Sequence, residues 1–100
     1  MTLKLVNRGT EGELLIEGRL DSNTAPEAEN VFLNISERFD RVILNFSGLS
    51  YISSAGLRLL LKLQQTMRKK NGEVILTHVN KMVMEVLEMT GFASFLSFEN

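Results

Sequence analysis

Strand-like and helix-like patterns alternate along this chain, and that alternation restricts its fold more than any other feature. Residues 13–20, 41–46 and 73–77 are short apolar runs with β-branched residues, the composition of strands. After the first run, Ala28, Val31, Phe32, Ile35 and Phe39 recur at the spacing of one helical face. After the second, the polar residues Arg58, Lys62, Gln65 and Lys69 recur at helical spacing while leucines fill the remaining faces. After the third, Val83, Val86 and Leu87 give a shorter helix its inner face. Strand–helix–strand units imply parallel pairs joined by right-handed crossovers. Residues 3–6 read as a further strand, tied through the turn-rich segment 7–12 into an antiparallel hairpin, and residues 95–98 as a last edge strand. The order ββαβαβαβ predicts an α/β layered domain with a mixed, mostly parallel sheet.

Helix ends are also marked. Thr24 and Glu27 have capping-box spacing, and Pro26 falls in the first turn, where its missing N–H does no harm. Asn71-Gly72 closes the middle helix, with Gly72 expected to supply the left-handed residue. Asn80 is placed to cap the last helix, and Thr90-Gly91 to end it.

One hundred residues suit one domain, here residues 1–100, and no linker or repeat divides them. A net charge of −1 removes the electrostatic case for nucleic acid, which needs a basic face. The one basic run, Arg68-Lys69-Lys70, reads as a solvated helix C-terminus. The chain has no cysteine, so no disulfide and no thiolate metal site can form, and the composition fits the cytoplasm. No signal-peptide core or membrane-spanning run is visible, so no direct membrane insertion is expected.

Ser53 and Ser54 stand where the second of these strands gives way to a helix. A serine there can cap the helix by accepting from its unpaired N–H groups, and the same end of a helix attracts anions. Asp21, Asn23 and Thr24 lie in the loop before the first helix; Asp21 reads as an interface residue and Thr24 as a cap. Asn45 is expected at a strand's C-terminal end, either as a ligand-facing residue or as a hydrogen-bonded amide. Gly56 permits close approach of helix and loop. Leu57, Leu60 and Leu61 are assigned to the core, and Arg58 and Lys62, on the polar face, to partner contact. Met82, Met84 and Met89 fall on or near the last helix, and Met89 is read as core or its edge. Catalytic and metal-binding equipment is thin. His78 is the only histidine, and neither a Gly-x-Ser-x-Gly elbow nor a Walker loop occurs, so no cofactor, metal or enzymatic activity is expected.

Ser53-Ser54-Ala55-Gly56-Leu57 resembles the Asp-Ser-Ser-Gly-Leu signature that opens a helix in STAS domains, most of all in the small bacterial anti-sigma-factor antagonists. Gly18-Arg19-Leu20-Asp21 with Thr24-Ala25 resembles the same family's Gly-x-Leu-Asp…Thr-Ala segment. Leu87-Glu88-Met89-Thr90-Gly91-Phe92 resembles its Leu-x-x-x-Gly-Leu/Phe close. The likeness spans essentially the whole chain. Two positions depart from it: Ser53 stands where well-known members carry Asp, and Ala55 where they often carry a second Ser.

The resemblance implies a non-enzymatic phospho-switch with Ser54, or alternatively Ser53, as the acceptor. Unphosphorylated, such a domain binds an anti-sigma factor that is also its serine/threonine protein kinase, and so releases a sigma factor; a serine phosphatase resets it. Asp21, Asn23, Ser53, Ser54, Gly56, Arg58 and Lys62 are then expected in or near the docking surface. The same module also serves as a regulatory subunit of lipid- or anion-transport complexes and in stress-signalling assemblies, which is the alternative reading.

Overall fold

The computed structural model describes residues 1–99. Five strands lie in one sheet in chain order: β1 (Thr2–Arg8), β2 (Glu11–Leu20), β3 (Arg41–Ile52), β4 (Glu73–Thr77) and β5 (Ser97–Glu99). β1 pairs antiparallel with β2, and every later pair is parallel. The helices α1 (Ala25–Arg38), α2 (Ser54–Lys69) and α3 (Lys81–Met89) supply the crossovers, so the expected order and mixed sheet are found.

Because each crossover steps to the next strand in the same direction, right-handed connections stack all three helices on one face. Burial follows that geometry. Leu14, Ile16, Val42, Leu44, Phe46, Val74 and Leu76 form one core with Ala28, Phe32 and Ile35 of α1, Leu57, Leu60, Leu63 and Met67 of α2, and Val83 and Leu87 of α3. Strand residues of the other parity, Glu13, Leu15, Arg41, Ile43 and Asn45, are half-buried on the opposite face. Ion pairs lace that face: Arg8–Glu13 at 2.6 Å, Arg41–Glu11 at 2.8 Å and Arg41–Glu99 at 3.0 Å.

Several local expectations are corrected. The expected antiparallel hairpin is found, with pairing running further into segment 7–12 than the turn-rich reading placed it: Arg8 pairs with Glu11, leaving Gly9-Thr10 as a two-residue turn with Gly9 at φ 82°. A positive φ confined to the first turn residue is the type II′ pattern that favours glycine there. β3 runs six residues beyond the apolar run and ends at Ile52. It stays paired with β2 through register shifts between Leu15 and Glu17 and between Gly18 and Arg19, the mark of bulges. Asn45 is therefore mid-strand, not at a strand end.

The end of α2 forms a Schellman closure: Asn71 N–H donates to the Arg68 carbonyl at 3.1 Å, and Gly72 N–H to that of Met67 at 2.8 Å. Asn71 takes the left-handed conformation, φ 60°, in place of Gly72. Gly72 is needed for space, since a Cβ there would lie 2.8 Å from the Asp40 carbonyl oxygen. The last strand is later and shorter than expected. Gly91, at φ 81°, turns the chain into a 3-10 segment, Phe92–Phe95, and pairing resumes at Ser97. Leu59 takes the core place assigned to Leu61, which is half-buried. Met89 is 86% exposed and belongs to no core.

Candidate functional site

The C-terminal ends of β2 and β3 and the start of α2 meet at Leu20, Ser53 and Gly56. Ser53 N–H donates to the Leu20 carbonyl at 2.9 Å, extending the β2–β3 ladder to the residue before the helix. α2 can begin against that ladder only because residue 56 is glycine. A Cβ there would lie 2.7 Å from Ile52 Cγ1, 2.8 Å from Leu20 Cγ and 2.9 Å from the Leu20 carbonyl oxygen. Leu57 N–H then closes the first helical turn onto the Ser53 carbonyl, 2.9 Å.

The two serines differ sharply. Ser53 occupies the N-cap position with extended backbone, but its side chain makes no capping hydrogen bond. Its Oγ is buried without a partner, so the expected serine cap is absent. The neighbouring strand holds the Ser53 backbone through its N–H bond to Leu20, and no N–H of the helix end reaches its hydroxyl. Ser54, the first residue of α2, is exposed.

The loop after β2 folds around Asp21. Its Oδ1 accepts from Asn23 N–H at 3.0 Å and Thr24 N–H at 3.2 Å. In return Thr24 Oγ1 accepts from Asp21 N–H at 3.0 Å and donates to the Arg19 carbonyl at 2.8 Å. The reciprocal bonding expected of Thr24 and Glu27 is thus made one turn earlier, by Asp21 and Thr24, and Thr24 makes no side-chain cap at α1. The Thr24 N–H bond is the main reason the Asp21 carboxyl titrates below its ordinary value; partial desolvation opposes this, and Asn23 N–H and Arg19 add to it. Arg19 lies 3.5 Å from Asp21 Oδ2, with its guanidinium 4.2 Å above the Tyr51 ring.

Asn23, Ser54 and Arg58 are exposed, and Asp21 is half-buried, all at this end of the sheet or one helical turn below it. Lys62 stands two turns down α2 and is held by Glu29 of α1 at 2.7 Å. Asn45 lies apart from this group, its amide donating to Glu13 Oε2 at 3.0 Å. That bond, with Arg8 assisting against desolvation, lowers the Glu13 pKa.

Two features were not read from the sequence. Asn80 caps α3 as expected, its Oδ1 accepting from Val83 N–H at 2.8 Å, but its Nδ2 also donates to the Leu49 carbonyl at 2.8 Å. That second bond fastens the start of α3 to the end of β3 and sets the exposed Met82 at the same end of the sheet. The Arg19–Tyr51 stack is the other. Its two residues are paired across the ladder, a match that register alone reveals. Among the described residues no His, Cys, Asp or Glu cluster is arranged to hold a metal, and no helix is long and apolar enough to cross a membrane.

A mixed, mostly parallel sheet backed by one helical layer, with a tightly packed serine–glycine turn opening the middle helix, defines a recognisable class of domain. The profile of the family described as "STAS domain" matches residues 4–100, and the chain belongs to that family. A candidate anti-sigma factor antagonist of Bordetella bronchiseptica, BtrV, is 33% identical over 98% of this chain and 87% of its own length. Among solved structures, a candidate anti-sigma factor antagonist from Thermotoga maritima superposes with a TM-score of 0.86 at 17% identity, covering 99% of this chain and 85% of that one. The phosphorylated form of the Bacillus cell fate determinant SpoIIAA gives 0.77 at 18% identity, covering 99% and 92%. At these identities the two structures speak for the fold.

Proposed function

We propose that residues 1–100 act as one module, an anti-sigma factor antagonist whose binding is switched by phosphorylation of Ser54. The observation that carries this reading is the contrast at the start of α2: the Ser54 side chain is exposed, whereas Ser53 Oγ is buried and out of reach of another enzyme. The 33% identity to BtrV along nearly the full chain supports the class of partner.

In the switching step a kinase passes the γ-phosphoryl group of ATP to Ser54. The Oγ–P bond forms, the bond to the departing ADP oxygen breaks, and the hydroxyl proton goes to a base on the kinase. The net charge falls from −1 to roughly −3. If Ser54 sits inside the docked surface, that dianion has to be desolvated or repelled, and binding is lost without a change of shape. Asn23 and Arg58 meet the partner directly. Asp21, Ser53 and Gly56 shape the surface, and Lys62 borders it through its pair with Glu29. The partner is an anti-sigma factor with serine/threonine kinase activity, a serine phosphatase resets the domain, and the exchange takes place in the cytoplasm. The domain is a substrate in this cycle and not an enzyme.

Affinity recovery from native-host lysate, comparing wild type with Ser54→Asp and read by mass spectrometry, tests the reading. Wild type is expected to recover a kinase-like anti-sigma factor, and Ser54→Asp to recover it about tenfold less or worse. Phosphate on the native protein is expected at Ser54. Equal recovery of transporter subunits by both forms, or phosphate on Ser53, overturns it.

A further inference from the structure

We infer that Arg58 is a positioning residue for the phosphate on Ser54, drawing it onto the first turn of α2 and leaving the docking surface as it does so. The inference rests on the reading of Ser54 as the modified serine. Three cations lie on β2 and the first nine residues of α2. Arg19 is already stacked on Tyr51 and lies 3.5 Å from Asp21. Lys62 is two turns away and paired with Glu29 at 2.7 Å. Arg58 is exposed and, among the described residues, has neither an ion-pair nor a hydrogen-bond partner.

Arg58 stands four residues after Ser54 on a continuous helix, the spacing at which side chains meet on one face. Helical side chains lean toward the N-terminus, so a guanidinium at position 58 has a phosphate on Ser54 within its reach. An anion N-terminal to a cation at this spacing is also the favoured orientation. A phosphate monoester offers oxygens that a guanidinium grips in pairs. Competition is small: no acidic residue lies in the first turn of α2, and the Asp21 carboxylate is engaged by Asn23 and Thr24 within its own loop. Phosphorylation then acts twice on a partner. It adds negative charge, and it occupies a cation that the unmodified surface presents.

The test installs phosphoserine at position 54 during protein synthesis, in the full chain with Arg58, Arg58→Ala or Arg58→Lys, and follows the phosphate by phosphorus NMR across pH. The phosphate in the Arg58 protein is expected to lose its second proton about 0.3 of a pH unit or more below that in Arg58→Ala, with Arg58→Lys between them. Far-ultraviolet circular dichroism is expected to be the same for all three. Identical titration curves overturn the inference. Because the phosphate is built in, this outcome is independent of any kinase. Failure of a kinase to modify Ser54 would sink the proposed function alone.

Discussion

Asp21 shows how one side chain can define a surface without being free to serve it. Its carboxylate takes two backbone N–H groups of the turn that follows, and its own N–H is taken by Thr24. The charged form is favoured by those bonds, so the folded-state pKa lies below the unfolded value. A group depressed in this way stabilises the fold fully above the unfolded aspartate pKa and loses that contribution as pH falls through the folded one. Asp21→Asn keeps the shape but not the charge. Its melting temperature is expected to lie below wild type at neutral pH and to converge on it as pH falls through and below the ordinary aspartate range. Thermal melts across that range check the sign; a gap that persists undiminished in acid would mean that the carboxylate's charge plays no part.

At the scale of elements, what could be read from the sequence separates from what could not by the range of the interactions involved. Strand parity and helical spacing are local, so the α1 face of Ala28, Phe32 and Ile35 and the whole β4 segment were legible. Side-chain direction at element ends is not local. Ser53 reads as a cap, yet its N–H is held by Leu20 of another strand and its hydroxyl is buried without a partner. The family resemblance marked the serine pair and Asp21, but only long-range pairing separates an exposed Ser54 from a buried Ser53 hydroxyl. Lys70 is a similar case: it reads as a solvated helix end, yet its Nζ donates to the Ser36 and Phe39 carbonyls at 2.9 and 3.0 Å, closing α1. Asn80 combines both ranges, with one bond inside its own helix and one to Leu49. Asn80→Ala removes both, leaving the first turn of α3 uncapped and the Leu49 carbonyl without that donor. A loss of about 1–2 kcal/mol is expected in urea denaturation. Faster hydrogen exchange in α3 than in α2 should accompany it, and a loss spread evenly over the chain would show that Asn80 does not anchor this element.

For the whole molecule, the same layering that buries the core also insulates it from events at Ser54. The packed cluster draws on all three helices and on strands β2, β3 and β4, and it includes Leu57 and Leu60 but no atom of the exposed residue at the head of α2. The first turn of α2 carries no acidic residue and its N-cap side chain satisfies no N–H, so negative charge placed there meets the positive end of the helix dipole without a like-charged neighbour in that turn. Ser54→Asp should therefore leave the circular dichroism spectrum unchanged and raise stability by about 0.3–1 kcal/mol at low ionic strength. The gain should shrink as salt is added, because an exposed charge is screened within about 10 Å at 0.1 M. Urea denaturation at two salt concentrations measures both effects. A stable Ser54→Asp protein that no longer binds its partner would make the switch one of charge at the head of α2, with no change of fold. A destabilised one would assign the Ser54 hydroxyl a structural task and return the partner's loss of affinity to a change in fold.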